Sequence, residues 1–516
     1  MEVMKRDATT YKKTKIIATI GPASEGHIPS LLKSGVNGIR LNFSHGSYAT
    51  HKKNLTIARQ ASRELARGLA IIQDLSGPKI RLGDLPEGGI TIKRGDMVGF
   101  SFEDDYDEEI GLLPSQYDFS HEVSVGEHLF LRDGQIKLVI KSIKGGIVTA
   151  KALNAGTVMT HHGINLPDTT FKNSVITPKD REDIAFALKE DVDYVALSFI
   201  QSAANVKELR RLLRPAPQPI HIIAKIETKA AINNIEEIIE AADAIMIARG
   251  DLGIEIGAEN VPIVGRRIIE LARSAHKPVI MATQMLESMM TSTQPSRAEA
   301  NDVSTAVLLG VDSVMLSGET AIGKFPVETV QMMKRIILKA EQYAISGMIN
   351  LSFSSSEDST SELQTAYVSK PNLQKIHDTT RIVFEQHQIE ANLKENTDQR
   401  IAASVSLAAI TLAEQIPAKL ILAETLTGHT AYSISSLRPS APIIMASPDR
   451  HVCNKLAIVW GGKPTLVPRQ QAVSELVLAE YKERGSIRKG DYVVSAFGKH
   501  HGITGGTDTV RILRVE

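Results

Sequence analysis

The sequence predicts an α/β fold: a (β/α)8 TIM barrel with an inserted all-β lid domain and a C-terminal open-sheet α/β domain. Three observations lead there. Eight short apolar runs, at residues 15–20, 38–41, 69–72, 194–197, 220–224, 244–248, 278–282 and 313–316, are separated by stretches with helical spacing, the rhythm of parallel strands joined by crossover helices. Between residues 83 and 174 that rhythm gives way to period-two alternation with glycine-rich turns, as in antiparallel hairpins. From residue 401 an α/β pattern resumes. The predicted domains are 1–82 with 175–350 as the barrel, 83–174 as the lid, 351–375 as a linker or surface excursion, and 376–516 as the C-terminal domain.

The elements follow in order. The first strand ends in Gly21-Pro22, the second in Asn42, Ser44 and His45, and the third in Asp74, followed by Ser76-Gly77-Pro78-Lys79-Ile80-Arg81. Residues 55–66 carry a helical pattern between the second and third strands. In the lid, Gly88-Gly89, Arg94-Gly95-Asp96, Asp133-Gly134 and Gly145-Gly146 mark turns; Ile136, Leu138 and Ile140 share one face, and Val148 and Ala150 begin the next run. The acidic run 103–109 reads as a solvated loop, because like charges packed this densely repel. Thr177 and Pro178 are a cap and a first-turn residue that restart the helices. The Ser-rich stretch 352–361 reads as linker. Beyond it come a helix ending at Ala413, strands at 420–423, 442–445, 492–496 and 509–513, and helices from Thr430 and near Asn454.

Composition excludes several function classes. A chain of 516 residues holds roughly three domains at about 150 residues each. Lys plus Arg and Asp plus Glu both number 59, so no nucleic acid and no anionic membrane is expected as partner, and any phosphate site must be local. The single Cys453 rules out an internal disulfide framework and fits a reducing compartment. With no signal core at the N-terminus and no run near the ~18 apolar residues of a membrane span, a cytoplasmic location is expected.

The chemistry concentrates at strand ends. Lys225 and Glu227 follow one apolar run, and Arg249 and Asp251 follow the next. Ser198, Thr283, Gln284, Ser317, Glu319, Arg40, Asn42, Ser44 and Asp74 hold the same position on other strands, so one rim gathers them. Glu227 and Asp251 end neighbouring strands and can share a hard cation such as magnesium, its other sites going to water and substrate. The bland alternative is two acids salt-bridged to Lys225 and Arg249. Gly250 and Asp251 open a helix whose free amides attract an anion. Cation, lysine and arginine around one spot suit phosphoryl transfer, which needs charge neutralised and attackers aligned. The chain has no P-loop and no paired cysteines for zinc. A barrel lysine could instead form a Schiff base, as in some aldolases, but that leaves the acid pair and lid unexplained. A non-catalytic effector-binding protein is the third reading.

Lys15-Ile-Ile-Ala-Thr-Ile-Gly-Pro-Ala-Ser24, Arg40-Leu-Asn-Phe-Ser-His-Gly46, Ala248-Arg-Gly-Asp-Leu-Gly-Ile-Glu255, Ala282-Thr-Gln-Met-Leu-Glu-Ser288 and Leu316-Ser-Gly-Glu-Thr-Ala321 resemble the pyruvate kinase family. The resemblance spans essentially the whole chain. It implies transfer of a phosphoryl group from phosphoenolpyruvate to ADP, a regulatory C-terminal domain and a homotetramer. By matching position it implies that Lys225 stabilises the phosphoryl group and Arg40 touches its oxygens. Glu227 and Asp251 would hold Mg2+ or Mn2+. The amides of Gly250 and Asp251, with Thr283, would bind the substrate carboxylate, and Thr283 would lie near the protonated face of the enolate. Asn42, His45, Arg81 and His162 would lie toward the nucleotide.

Two departures from the family pattern matter. Many relatives place Thr and Glu where this chain has Leu75 and Lys79, and hold potassium beside Asn42, Ser44 and Asp74. Lys79 is expected to replace that ion, because a fixed ammonium disfavours a neighbouring cation; K+ is then not required. In the lid, His161-His162 precede Gly163-Ile-Asn-Leu-Pro167 where relatives carry a basic pair, which would make nucleotide contact depend on pH. In the C-terminal domain, Thr425, Thr427, Gly428, His429 and Thr430 form a hydroxyl-rich strand-to-helix loop. Its chemistry suits anions, and it is similar to the family's effector-phosphate loop, so a sugar phosphate or nucleotide activator is expected there.

Overall fold

The computed structural model describes residues 11–102, 104–171, 174–346, 397–469, 473–498 and 507–516. The expected linker at 351–375, with its Ser-rich run, lies outside them.

Strands Lys15–Ile20, Gly38–Asn42, Ala70–Asp74, Tyr194–Leu197, His221–Ile226, Ala244–Ala248, Val279–Ala282 and Ser313–Leu316 close into a parallel barrel. The last strand pairs with the first, Ser313 opposite Lys15. Strand periodicity divides the apolar residues between two cores. Ile17, Ile72, Ala196, Ile223, Met246, Ile280 and Met315 fill the barrel, whereas Ile16, Ile71, Val195, Ile222 and Ile245 pack outward on the helices. Helix Pro178–Lys189 begins as expected, with Thr177 and Asp180 in a reciprocal capping box. Two short helices, Lys229–Asn233 and Ile235–Ala241, join the fifth strand to the sixth, because Asn234 leaves helical geometry between them at φ −109°, ψ 23°.

The lid is a six-stranded sheet with a separate two-stranded ribbon and has its own core, including Ile136, Leu138, Ile140, Val148 and Ala150. The described acidic residues of the 103–109 run are all exposed. An isolated bridge joins Arg81 to Gly163 where the chain leaves and re-enters the barrel.

The C-terminal sheet has five strands. One of them, Gly462–Leu466, does not read as a strand because it contains Gly462 and Pro464; it sits at the sheet edge, where proline is tolerated. The short turn Leu456–Ile458 meets the N-terminal ends of the barrel strands. Ser313 Oγ donates to the Ile458 carbonyl at 2.8 Å, and the Trp460 N–H donates to Asp312 Oδ1 at 3.0 Å. The Ile458 side chain packs with the barrel-interior residues. No helix among the described residues is long and apolar enough to cross a membrane.

Candidate active site

Lys225 and Glu227 lie two residues apart, so they leave the fifth barrel strand on the same side. Arg40 and Asp74 come from the second and third strands, Asp251 from the first turn of helix Arg249–Ile256, and Thr283 from just past the seventh strand. All belong to the C-terminal rim, where barrel loops carry chemistry. Four of them form one ionic network. Lys225 Nζ lies 2.8 Å from Glu227 Oε1 and 3.3 Å from Asp74 Oδ1, and Arg40 Nε lies 2.6 Å from Asp74 Oδ2. A third acceptor, Ser198 Oγ, takes a proton from Lys225 at 2.7 Å and donates its own to the Leu75 carbonyl at 2.7 Å. Arg40 Nη1 reaches Thr19 Oγ1 at 3.2 Å.

The charges are held firmly. Burial works against the Lys225 ammonium, but Asp74 and Glu227 outweigh it and raise its pKa above the ordinary lysine value. Burial would likewise raise Asp74, but Lys225 and Arg40 hold its carboxyl below the usual range. Glu227 moves the other way: burial raises it, Lys225 pulls back, and the Asp251 charge pushes it up again. Its Oε2 accepts from the Phe199 N–H at 2.8 Å; Phe199 itself sits in the left-handed region at φ 52°. Burial first and the Asp251 charge second thus disfavour the Glu227 carboxylate, and a divalent ion would offset both. The donor set of hard oxygens fits magnesium or manganese. Arg249, the partner Asp251 would have in the bland alternative, pairs instead with Asp302 at 2.5 Å.

Arg249 also braces the neighbouring loop, donating from Nη2 to the Thr283 carbonyl at 2.6 Å and from Nε to Ala282 at 3.3 Å. Thr283 and Gln284 stand there at φ 67° and 54°, a conformation uncommon outside glycine and strained for the β-branched threonine. The Thr283 hydroxyl accepts from the Gly250 N–H at 2.9 Å and donates to the Ala282 carbonyl at 2.7 Å. The amide expected to meet a substrate carboxylate is thus capped by the hydroxyl expected to help it.

The remaining predicted residues are placed as follows. Asn42 Oδ1 accepts from the Ser44 N–H at 3.2 Å, and Ser44 Oγ meets Ser76 Oγ at 3.2 Å; Asn42 and Asp74 are opposite one another in the sheet. Leu75 is buried in the outer core. Lys79 is exposed and makes no ion pair with Asp74 among the described residues; its side chain lies in a cleft of about 360 Å³ between lid and barrel, facing Gly163. Arg81 Nη1 donates to the His161 carbonyl at 3.2 Å, and His45 is exposed. His162 Nδ1 accepts from the Met159 N–H at 3.0 Å, so that nitrogen serves its own turn. In the C-terminal loop Thr425 Oγ1 caps the Gly428 N–H at 2.8 Å, and Gly428 has φ 99°. Buried Thr430 bonds to Thr507 at 2.6 Å, which leaves Thr427 as the exposed hydroxyl; burial, then Lys277, lowers the His429 pKa. Sequence reasoning missed Thr19, Phe199 and Asp302, and it placed Ser198 on the rim without seeing its bond to Lys225.

The family model "Pyruvate kinase, barrel domain" matches residues 11–330, and "Pyruvate kinase, alpha/beta domain" matches 403–513. The chain is 37% identical to a pyruvate kinase of Thermococcus litoralis, covering 98% of each chain. It is 36% identical to one of Staphylococcus haemolyticus over 97% of this chain and 80% of that one. Among solved structures, a pyruvate kinase from Cryptosporidium parvum superposes with a TM-score of 0.84 at 32% identity, covering 98% of this chain and 97% of that one.

Proposed function

This chain belongs to the pyruvate kinase family, and from that membership we propose that it carries a phosphoryl group from phosphoenolpyruvate to ADP, with Glu227 and Asp251 holding Mg2+ or Mn2+ and without a requirement for potassium. The observation that carries the reading is the buried ammonium of Lys225, ringed by Asp74, Glu227 and Ser198 beside the Arg40 guanidinium. A fixed positive charge in a dry, pre-ordered site stabilises charge developing on transferring phosphoryl oxygens.

Each residue then has a part. Lys225 turns an N–H from one of its three acceptors toward the phosphoryl group. Arg40 uses two of its five N–H groups on Asp74 and Thr19 and has others for the same oxygens. The substrate carboxylate takes the amides of Gly250 and Asp251, and the Thr283 hydroxyl rotates off Gly250 to join it. A threonine hydroxyl is a poor acid, so a water beside Thr283 delivers the proton to the enolate. A bound divalent ion supplies charge neutralisation on the phosphoryl oxygens. Asn42, His45, Arg81 and His162 border the nucleotide.

Lys79 supplies the charge that potassium brings elsewhere; its ammonium has no ion-pair partner among the described residues and so remains available to ligands at the cleft mouth. A sugar phosphate or nucleotide activator binds at Thr425, Thr427, Gly428, His429 and Thr430, and the working form is a cytoplasmic homotetramer. The experiment is turnover of phosphoenolpyruvate and ADP with Mg2+, titrating K+ from none upward. Lys225→Met should lose about 10²–10³ in kcat, the scale of one pre-organised donor. Wild-type turnover in Lys225→Met overturns the mechanism, and a steep K+ requirement overturns the role of Lys79.

A further inference from the structure

Far from the rim, the loop that enters the fourth barrel strand faces the C-terminal helix Arg450–Lys455. Asp191, Asp193 and His451 converge there, one ligand atom from each lying within 4.8 Å of the others. Arg59 forks onto both carboxylates: Nε lies 2.8 Å from Asp191 Oδ2 and Nη2 lies 2.7 Å from Asp193 Oδ2. The Ile71 N–H adds a 2.7 Å bond to the same Asp193 oxygen. One oxygen of each acid is left over. Asp193 Oδ1 has no hydrogen-bond partner, although the residue is only 1% exposed. Asp191 Oδ1 stands 3.4 Å from His451 Nδ1. That gap is long for a charge-assisted hydrogen bond. It matches the spacing of two ligands on a tetrahedral ion with bonds of about 2.0–2.1 Å.

We propose that Asp191, Asp193 and His451 bind a zinc-like divalent transition metal that clips the C-terminal domain to the barrel. One imidazole with two carboxylates suits such an ion better than magnesium or calcium, which favour all-oxygen sets. Arg59 serves as the outer partner that orients ligating carboxylates. Arg59 is the guanidinium that both carboxylates meet directly. Lys455, the other cation acting on Asp193, is engaged by the Pro219 carbonyl. Asp191 and His451 both reach solvent, so the ion has a path in, and water completes its coordination.

The test is equilibrium dialysis of the full chain with Zn2+ or Co2+ as probe, in excess Mg2+ to occupy the rim carboxylates. One equivalent of the probe is expected per chain. His451→Ala and Asp191→Asn should each lose that equivalent while keeping basal phosphoryl-transfer activity, since neither residue belongs to the rim. His451→Cys should restore Co2+ binding with a thiolate charge-transfer band. Absence of the extra equivalent in the wild-type chain, or its persistence in His451→Ala, overturns the proposal, and neither result bears on the rim chemistry.

Discussion

Ser198→Ala tests whether the acceptors around Lys225 aim its charge. The serine is 2% exposed, takes one ammonium proton at 2.7 Å and passes its own to the Leu75 carbonyl. Alanine removes both bonds and leaves one proton of a buried cation facing a methyl group. A hydrogen bond to a charged group contributes about 1.5–3 kcal/mol, which corresponds to about a 10- to 150-fold loss in kcat if it is fully expressed in the transition state. Because Ser198 acts on the ammonium of Lys225 and not on Gly250, Asp251 or Thr283, which would hold the substrate carboxylate, KM for phosphoenolpyruvate should change less than kcat. Steady-state kinetics with Mg2+ saturating, alongside a thermal melt to confirm folding, reads out both. A folded variant with kcat within about twofold of wild type, a barrier change under about 0.5 kcal/mol, refutes the idea that these acceptors orient the ammonium.

Asp302→Ala should loosen Arg249 and with it the strained Thr283 loop, costing about 2–5 kcal/mol for a partly buried charge left unpaired; a raised KM for phosphoenolpyruvate with a lower kcat is expected, and unchanged kinetics count against the bracing role. Burial pushes the His221 pKa down to about 4, and the same effect with His429 and Lys277 holds His276 at about 4. Both remain neutral in the fold between roughly pH 4 and 6.5, where the unfolded chain takes up protons; stability present above pH 6.5 is therefore lost as pH falls toward 4, by up to about 3 kcal/mol per histidine. Urea midpoints from pH 7.5 to 4.5 measure this, and a slope unaltered by His276→Gln contradicts it. Thr430→Glu puts a carboxylate in place of the hydroxyl that meets Thr507 and should abolish activation by sugar phosphates and nucleotides, so a preserved response removes the effector site from that loop.

The barrel was legible because each strand is an apolar run stopped by polar residues, and the lid because its period changes. The rim was legible as a group of residue types but not as a network. Nothing in the order of residues shows that Asp74 and Lys225, 151 positions apart, come within 3.3 Å, since it is their pairing on either side of the fourth strand that brings the third and fifth strands that near. Chain proximity suggested Arg249 for Asp251, whereas folding sends it to Asp302 on the helix Arg297–Leu308. The left-handed Phe199 gives no sequence signal, because only glycine and asparagine advertise that conformation. The edge strand Gly462–Leu466 was hidden by the proline its position permits.

Ile458 makes the C-terminal domain a structural component of the barrel that it borders. Its side chain stoppers the foot of the strand cylinder, and losing a buried isoleucine side chain typically costs about 2–5 kcal/mol. Severing the molecule between its two α/β parts would thus uncork the cylinder rather than release a finished enzyme. A tilt of the C-terminal sheet would shift that stopper, at the base of the same staves whose tips hold Lys225 and Asp74.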